Sequence, residues 1–294
     1  MKILLTLSLL FFIGCNKVTP PYDENRTYFK TNFYPAYESK IIYKDGMNKK
    51  DYPLIFLFGG SEGGMWQDEN TRESHTLRSK GYHVVTVGYF GMDGLPKELN
   101  RINLNGFKKV LEKYKKYPTV KKDSIGVVGV SKGGELVLLL GSLYPDIHTV
   151  VAIVPSHVAF QASNVTLYKN SSWVYNNKEV PFVPFPRLSM ATIKGVIDGE
   201  NYRAMHLEAL KNKKAVDKAR TKVENINGSI YLLSARHDHM WPSMEMSQEV
   251  VKRLKDKKFK HYFEHKTFDC NHYVLDQKGA WDGVLKFLDK HVEK

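Results

Sequence analysis

The sequence has few cysteines, and this shortage narrows the classes of protein that it can represent. Only Cys15 and Cys270 occur in a chain of 294 residues, so a small secreted fold held by a disulfide framework is excluded. Internal repeats and low-complexity tracts are absent from the sequence, and we therefore expect one globular domain behind a short leader. Metal-ligand clusters with suitable spacing and convincing phosphate-binding glycine motifs are also absent from it, so neither a metal ion nor a cofactor is expected.

Acidic residues are outnumbered by basic ones, and the formal net charge is +13. Such a charge is compatible with a nucleic-acid partner, an anionic membrane surface or an anionic substrate. The lysines, however, form short clusters spread over several predicted elements, without a basic stripe interleaved with aromatic residues. These clusters are Lys108–Lys109, Lys115–Lys116, Lys121–Lys122 and Lys252–Lys260. We interpret them as a solvated basic surface and expect no nucleic-acid partner.

Long apolar runs are missing except at the N-terminus. Met1 and Lys2 precede the apolar run Ile3–Ile13, which is too short for an ordinary transmembrane helix and is typical of a signal peptide. The run ends in Phe-Ile-Gly-Cys15, which resembles a bacterial lipoprotein signal whose cysteine becomes the lipidated N-terminus. The sequence therefore predicts a signal segment over residues 1–15, lipidation at Cys15 and a tether over residues 16–38.

A lipid on Cys15 would anchor the mature protein to a membrane without spanning it. The localisation expected on this interpretation is the bacterial cell envelope, outside the cytoplasm. The alternative is an ordinary cleaved signal that contains a cysteine by chance and releases a soluble secreted protein.

Strand-length apolar runs alternate with helix-length segments over residues 39–294. Most of the runs are apolar at every position, which is typical of parallel strands covered by helices on both faces of the sheet. The predicted strands are Ser39–Lys44 at the edge, Pro53–Phe58, Tyr82–Gly88, Ser124–Val130, Thr149–Val154, Ser229–Ser234 and Phe259–His265. The predicted helices are Asn70–Lys80, Leu99–Tyr117, Lys132–Leu143, Ser243–Lys255 and Gly279–His291. This order predicts an α/β domain with right-handed crossovers.

One stretch, from Pro155 to about residue 200, interrupts this alternation. It contains Pro181, Pro184 and Pro186, with four aromatic residues between Trp173 and Phe185 and little periodicity. Loops of this length inside a compact domain are usually functional or disordered. Because the stretch is rich in aromatic residues, we expect a packed, lid-like insertion that covers a site.

The segment Gly129-Val-Ser131-Lys-Gly133 matches the G-x-S-x-G pattern of a nucleophile elbow. An apolar strand leads into the pattern and a helix leads out of it, which makes the match far more specific than the five residues alone. A nucleophile on so sharp a turn needs small neighbours, and the glycines provide them. Ser131 is therefore the predicted nucleophile. The alternative is a glycine-rich strand-to-helix turn without chemistry.

A serine hydroxyl becomes a good nucleophile only when a base takes its proton and an acid orients that base. The elbow pattern predicts the chain order serine, acid, histidine. Asp238 follows the predicted strand Ser229–Ser234, and His272 follows the last predicted strand. Both expected positions are filled, which predicts an acid at Asp238 and a base at His272.

Other titratable residues lie close to these positions in the sequence. Asp269 could act as the acid, but it follows the wrong strand and lies three residues before His272. His237 and His239 flank the predicted acid and are interpreted as local structure or lining of the site. His265 falls inside the last predicted strand, where a structural role is expected.

Acyl transfer also needs donors for the oxyanion that develops on the substrate. The backbone N–H of Lys132, the residue after the nucleophile, is the first predicted donor. The second should come from the glycine-rich loop Gly59–Gly64 after the strand Pro53–Phe58, and we expect it to be the backbone N–H of Ser61. The side chain of Lys132 is expected to face solvent, where it could attract an anionic substrate.

Several of these segments resemble the C-terminal catalytic domain of acyl-CoA thioesterases and of bile acid-CoA:amino acid N-acyltransferase. The resemblance covers about residues 50–290. The segments that carry it are Leu57–Gly64, Gly88–Gly91, Leu95–Pro96, Gly129–Glu135 and Asp238–Ser243. The combination of the elbow with Asp-x-x-Trp-Pro-Ser is more specific than either motif alone.

The resemblance implies an α/β-hydrolase fold and a serine or cysteine nucleophile, here Ser131, with Asp238 as acid and His272 as base. It also implies thioester hydrolysis or acyl transfer. Two features differ from the family pattern. Residues 16–50 are too short for the β-sandwich domain of the animal enzymes, and the segment before His272 is Asp-Cys-Asn, where glycine is usual. The expected substrate is a small acyl thioester or carboxylic ester. A peptidase of the same fold and a non-catalytic surface-binding lipoprotein are the alternatives.

Overall fold

The computed structural model describes residues 36–39, 51–66, 71–162, 169–186, 189–199 and 201–292. The predicted signal segment with Cys15, most of the predicted tether and residues 40–44 of the predicted edge strand lie outside the described residues. Within the described ranges, no helix is both long enough and apolar enough to cross a membrane.

A seven-stranded sheet forms the centre of the fold. Its strands are β1 (Ala36–Ser39), β2 (Tyr52–Phe58), β3 (His83–Val87), β5 (Val120–Val130), β6 (Thr149–Ile153), β9 (Ser229–Ala235) and β10 (Phe263–Phe268). They are arranged in the order β1-β3-β2-β5-β6-β9-β10, in which β1 pairs antiparallel to β3 and the remaining neighbours pair in parallel. A second sheet has three short strands, β4 (Ile102–Asn103), β7 (Trp173–Tyr175) and β8 (Lys178–Glu179).

The strand β2 shows why the central strands are apolar at every position. Leu54, Phe56 and Phe58 belong to the core on one face of the sheet, while Ile55 and Leu57 belong to the core on the other. All five side chains are fully buried. Because successive side chains of a strand point to opposite faces, a sheet covered on both sides needs apolar residues at odd and even positions alike.

Helices cover both faces of the sheet. The described helices are α1 (Arg72–Ser79), α2 (Asn105–Lys115), α3 (Lys132–Leu143), α4 (Met190–Asp198), α5 (Arg203–Ala209), α6 (Lys213–Ala219), α7 (Ser243–Asp256) and α8 (Ala280–His291), with 3₁₀ turns at Val223–Asn225 and Val274–Asp276. Helices α2, α3 and α7 contribute to one core, and α1 and α8 contribute to the other. The predicted α/β class with a mostly parallel sheet is therefore confirmed.

The last strand begins later than the sequence predicts. The predicted strand begins at Phe259, whereas β10 begins at Phe263 and pairs with β9 from Ile230 onward. Phe259 instead closes the C-terminus of α7, because its N–H donates to Leu254 O at 2.9 Å. Lys258 takes the left-handed conformation, with φ 50°, that such a helix cap requires. The apolar residue that predicted a strand therefore belongs to the helix cap.

The segment between β6 and β9 contains the predicted insertion and continues beyond it. Residues 155–200 include β7, β8 and α4, and the helices α5 and α6 follow before β9 begins. The start of the predicted helix Leu99–Tyr117 contributes the short strand β4, which pairs with β7 of the insertion. A separate apolar cluster joins the insertion to the loop after β9 and to α7. Its buried members are Val158, Phe160, Val183, Ala209, Val216, Ala219, Trp241 and Met246.

Candidate active site

The predicted nucleophile lies on a sharp turn between β5 and α3. Ser131 has φ 56° and ψ −118°, a conformation that residues other than glycine rarely adopt. Its N–H donates to Ile153 O at 2.9 Å, and its carbonyl oxygen accepts from Glu135 N at 3.1 Å. The turn is thus fixed on both sides, by the neighbouring strand and by the first turn of the helix.

Glycines allow this turn to pack closely. A Cβ atom at Gly129 would lie 2.2 Å from Gly133 O, and a Cβ atom at Gly133 would lie 2.3 Å from Gly59 O. Both distances are far below any normal contact, so larger residues are excluded at these positions. A Cβ atom at Gly60 would lie 3.1 Å from the Cβ of Ser131. The glycine-rich loop after β2 therefore lies directly against the nucleophile.

The predicted acid and base form a buried pair. His272 Nδ1 lies 2.9 Å from both carboxylate oxygens of Asp238. Asp238 is fully buried, and its Oδ1 also accepts from Met240 N at 3.0 Å and from Trp241 N at 3.2 Å. Because a carboxylate only accepts hydrogen bonds, Nδ1 carries the proton, and Nε2 of the neutral ring is the nitrogen that can act as a base.

The three predicted catalytic residues follow the carboxyl ends of three parallel strands of one sheet. Ser131 follows β5, Asp238 follows β9, and His272 follows β10. Among the described residues, the hydroxyl of Ser131 makes no hydrogen bond, either to His272 or to another group. The structure thus contains the hydrogen bond between the predicted acid and the predicted base, but none between the predicted base and the predicted nucleophile. Catalytic hydrogen bonds are often long before substrate binds.

The alternative acid and bases take part in other contacts. Asp269 Oδ1 lies 2.9 Å from His237 Nε2, and both side chains are exposed. His265 Nε2 lies 2.7 Å from the hydroxyl of Ser234 on the neighbouring strand, consistent with the structural role expected for it. The ring of His239 is 6.5 Å from that of His272, between centroids. In the described part of the chain, no group of three or more histidine, cysteine, aspartate or glutamate side chains could hold a metal ion.

One predicted oxyanion donor belongs to the elbow, and the other lies in the loop after β2. Lys132 is the first residue of α3, so its N–H has no acceptor within the helix. Ser61 is exposed in the turn after β2, and its N–H makes no hydrogen bond within the described residues. The neighbouring N–H of Gly60 donates to Glu62 Oε1 at 2.8 Å.

The side chain of Lys132 is buried, so the expectation that it faces solvent is wrong. Its Nζ donates to Glu135 Oε1 at 2.6 Å and lies 5.5 Å from the ring centroid of Trp173. The same Oε1 accepts from Trp173 Nε1 at 2.7 Å and from Phe160 N at 3.4 Å. Burial lowers the pKa of Lys132 and raises that of Glu135, while their attraction opposes both changes. The Lys-x-x-Glu spacing at the start of an apolar helix was the available signal for this pair.

A cluster of aromatic rings, formed by Phe160, Phe185, His206 and Trp241, packs next to His272. The rings of Trp241 and His272 are 6.3 Å apart, between centroids. His206 from α5 packs against Trp241, Phe160 and Phe185, with centroid distances of 5.7, 4.9 and 5.0 Å. Burial lowers the pKa of His206 to about 4, so its ring is neutral at physiological pH. This mostly buried cluster therefore carries no charge beside the predicted catalytic pair.

The segment between β6 and β9 also holds the loop that carries Asp238. Arg203 N, at the start of α5, donates to His239 O at 3.0 Å, and Arg203 Nη1 donates to Asp238 O at 3.3 Å. Trp241 Nε1 donates to Val154 O at 3.0 Å, at the point where the insertion begins. The loop is therefore fixed at Asp238, His239 and Trp241 by residues outside β9 and α7.

A mostly parallel sheet between two helical layers, with a strained serine on the turn after a central strand, defines the α/β-hydrolase fold. Solved structures agree. Acylaminoacyl peptidase of Pyrococcus horikoshii aligns with a TM-score of 0.59 and 16% identity, over 89% of this chain and 42% of that chain. Acetyl xylan esterase 1 of a Thermoanaerobacterium species aligns with a TM-score of 0.50 and 15% identity, over 83% and 76%. At these identities the likeness shows the fold alone.

The family is shown by sequence. The family model described as BAAT / acyl-CoA thioester hydrolase C terminal matches residues 102–275, and the chain belongs to this family, as predicted. It is 27% identical over 204 residues to mitochondrial acyl-coenzyme A thioesterase 2 of Mus musculus, covering 69% of this chain and 41% of that protein. It is 26% identical over 275 residues to acyl-coenzyme A thioesterase 5 of Mus musculus, covering 82% and 60%. The chain thus spans less than two thirds of either relative, and its kinship with these enzymes supports hydrolase activity.

Proposed function

We propose that this protein is a serine hydrolase that cleaves acyl thioesters or carboxylic esters through Ser131, His272 and Asp238. The observation that carries the proposal is the buried hydrogen-bonded pair of Asp238 and His272. These two residues follow β9 and β10 of the same sheet in which β5 leads into the strained Ser131. A buried carboxylate that holds a histidine by Nδ1 leaves Nε2 free to accept a proton, which is the arrangement that activates a serine.

In the proposed reaction, the Oγ of Ser131 attacks the acyl carbonyl carbon while Nε2 of His272 takes its proton. Asp238 stabilises the imidazolium, and the N–H groups of Lys132 and Ser61 donate to the oxyanion. The tetrahedral intermediate collapses when His272 returns the proton to the leaving sulfur or oxygen, which gives a free thiol or alcohol and an acyl-enzyme. Water then loses a proton to His272 and attacks the acyl carbon, and His272 returns the proton to the Oγ of Ser131 as the bond to the acyl carbon breaks and the acid is released.

The comparison with relatives supports the substrate class. The relatives named acyl-coenzyme A thioesterases favour a thioester. If the chain is anchored outside the cytoplasm, it would meet little acyl-CoA, and carboxylic esters or acyl groups on other carriers become the natural substrates.

The nucleophile can be tested with a fluorophosphonate probe, which reacts with activated serines. We expect stoichiometric labelling of the wild-type protein and none of the Ser131→Ala variant. A matched control is Ser142→Ala, because Ser142 lies on the same helix and donates to Leu139 O at 2.8 Å. Labelling that survives Ser131→Ala would rule out the assignment.

The substrate class can be tested with a panel of acyl-CoA, p-nitrophenyl ester and peptide substrates. We expect turnover of thioesters or esters and its loss in Ser131→Ala. Turnover of the peptides in preference to both would indicate a peptidase of the same fold. Tight binding of an acyl ligand without turnover of any substrate would indicate a binding lipoprotein.

For the N-terminus, we propose lipidation of Cys15 and anchoring in the bacterial cell envelope, from the sequence Phe-Ile-Gly-Cys that ends the apolar run. Expression of the whole chain in bacteria should place it in the membrane fraction with a diacylated N-terminal cysteine, detectable by mass spectrometry. The Cys15→Ser variant should lose the lipid and leave the membrane. An unmodified Cys15 in the mature protein would contradict the proposal.

A further inference from the structure

Tyr89 holds the glycine-rich loop from the side of the core. It follows β3 and is 1% exposed. Its hydroxyl lies 2.7 Å from Gly59 O and 2.9 Å from Gly60 O, and its single proton is shared between these two carbonyl oxygens. The ring packs against Phe58, Phe90 and Trp173, with centroid distances of 6.4, 5.2 and 5.8 Å. The hydroxyl therefore has a fixed position.

These two contacts determine where the loop's N–H groups point. In a trans peptide, the carbonyl oxygen and the N–H of the next residue point in opposite directions, and cis peptide bonds are absent from the described residues. With Gly59 O and Gly60 O held by Tyr89, the N–H groups of Gly60 and Ser61 both face away from the core. Glycines adopt many backbone conformations, so Gly59 and Gly60 do not fix these peptide planes by themselves.

The same loop lies against the nucleophile. A Cβ atom at Gly60 would lie 3.1 Å from the Cβ of Ser131, and the backbone carbonyl of Gly59 packs on Gly133 at the elbow. The N–H of Gly60 is bound to Glu62 Oε1, so of the two N–H groups that Tyr89 orients, that of Ser61 is the one without an acceptor in the described part of the protein. Two peptide planes beside Ser131 are thus oriented by one buried hydroxyl.

We propose that Tyr89 is a positioning residue for the oxyanion site, and that its hydroxyl keeps the N–H of Ser61 available to the tetrahedral intermediate. This inference rests on the proposed serine hydrolase function. Tyr89 acts through the loop and does not touch substrate. A donor whose direction is fixed beforehand stabilises the transition state more than the ground state, so removal of the Tyr89 hydroxyl should lower kcat and leave KM nearly unchanged.

The test compares Tyr89→Phe with Tyr144→Phe. Tyr144 is a suitable control because it is also buried, and its hydroxyl also donates to a backbone carbonyl, that of Leu104, at 2.9 Å. Both variants lose one buried hydrogen bond, so both should show a similar fall in Tm. We expect Tyr89→Phe alone to lower kcat about 10-fold, with KM changed less than about twofold.

A boronic acid that forms a tetrahedral adduct with the serine provides a second measurement. Its affinity should fall in Tyr89→Phe by about the same factor as kcat/KM and stay unchanged in Tyr144→Phe. Equal kinetics and equal boronate affinity in the two variants would overturn the inference. If Tyr89→Phe fails to fold, Tyr89→Met, which also lacks a hydroxyl donor, takes its place in the same comparison.

This experiment also separates the inference from the proposed function. A wild-type protein that neither reacts with the fluorophosphonate probe nor turns over an ester would contradict the function itself. A wild-type protein that does both, with Tyr89→Phe as active as Tyr144→Phe, would contradict only the role of Tyr89.

Discussion

The backbone of Ser131 is held in a conformation that costs on the order of 1–3 kcal/mol for a residue with a side chain. Its hydrogen bonds with Ile153 and Glu135 maintain that conformation, and the glycines at 129 and 133 allow the close packing around it. The hydroxyl of Ser131 is therefore presented on a turn that exists before substrate arrives. The energy for this turn comes from the folding of the sheet and not from substrate binding.

Substitution of Asp238 tests its predicted role as the acid. An Asp238→Asn change keeps an oxygen for the N–H groups of Met240 and Trp241, so the fold should persist. The amide NH₂ would face His272 Nδ1 and favour the tautomer with the proton on Nε2, which cannot act as a base. We expect kcat for ester hydrolysis to fall by roughly 10³- to 10⁴-fold.

Asp269→Asn is the control for this change, because Asp269 is also an aspartate near His272 but is 77% exposed and bound to His237. Its kcat should stay within about twofold of the wild type. Steady-state kinetics with one p-nitrophenyl ester would decide. Equal losses in the two variants would show that Asp238 is not the acid.

The positions of Ser131, Asp238 and His272 after the carboxyl ends of three strands were predictable, because each follows from a local rule. A motif predicted Ser131, and the order of strands predicted Asp238 and His272. The burial of the Lys132 side chain was not predicted, because it depends on Trp173 and Phe160, which are 38 and 25 residues from Glu135 in the sequence. Tyr89 was missed for a related reason, since its hydrogen bonds to the loop carbonyls span about 30 residues.

Among the elements, α3 carries the buried ion pair of Lys132 and Glu135. The Glu135 carboxylate connects the helix to the insertion by accepting hydrogen bonds from Trp173 and Phe160. Both side chains of the ion pair are almost completely inaccessible to water. Removal of one partner from such a pair leaves an uncompensated charge in the interior and typically costs about 3–5 kcal/mol, whereas apolar replacement of both is often nearly neutral. This difference between single and double replacement can be measured as a change in the free energy of unfolding.

We expect Lys132→Met to lower the free energy of unfolding by about 3 kcal/mol or more. The double variant Lys132→Met/Glu135→Leu should recover most of this loss, because no buried charge then remains. Urea unfolding followed by tryptophan fluorescence would measure both variants. A double variant that is no more stable than the single one would mean that the carboxylate of Glu135 is not stranded when Lys132 is absent.

The elements were predictable where sequence pattern and tertiary environment agree. The helix Lys132–Leu143 agrees with its prediction at both ends, and the central strands agree within a few residues. Failures occur where an apolar residue serves another purpose. Phe259 caps a helix, and Ile102 pairs with Trp173 of the insertion instead of entering a helix. Neither purpose can be read from local periodicity, because each depends on the partner segment.

Acid should destabilise the whole molecule through buried neutral histidines. Burial, assisted by Arg220 and Lys213 and opposed by Glu249, lowers the pKa of His157 to about 4, and burial lowers that of His206 to about 4. Below pH 6.5 the unfolded histidines take up protons, while the folded ones remain neutral until about pH 4. The unfolded state therefore binds more protons in this range, and stability falls as pH falls from 6.5 to 4.

Each buried histidine contributes up to about 3 kcal/mol to this loss. We expect the difference in free energy of unfolding between pH 7 and pH 4.5 to shrink in His157→Gln, which has no group that titrates there. His75→Gln is the control, because His75 is exposed on α1. The free energy of unfolding of this variant should depend on pH as that of the wild type does. If His157→Gln and the wild type lose equal stability on acidification, His157 is not responsible.

The loop with Asp238 depends on contacts made by Arg203 and Val154, and Trp241 contributes to the same apolar cluster as Phe160 and Val183. The segment between β6 and β9 is consequently not an interchangeable module. A chimera that imported the corresponding segment from another enzyme would also have to import matching surfaces for the acid loop and for Glu135. Substitutions in this segment are therefore expected to move the carboxylate of Asp238 as well, since the segment contacts the loop that carries it.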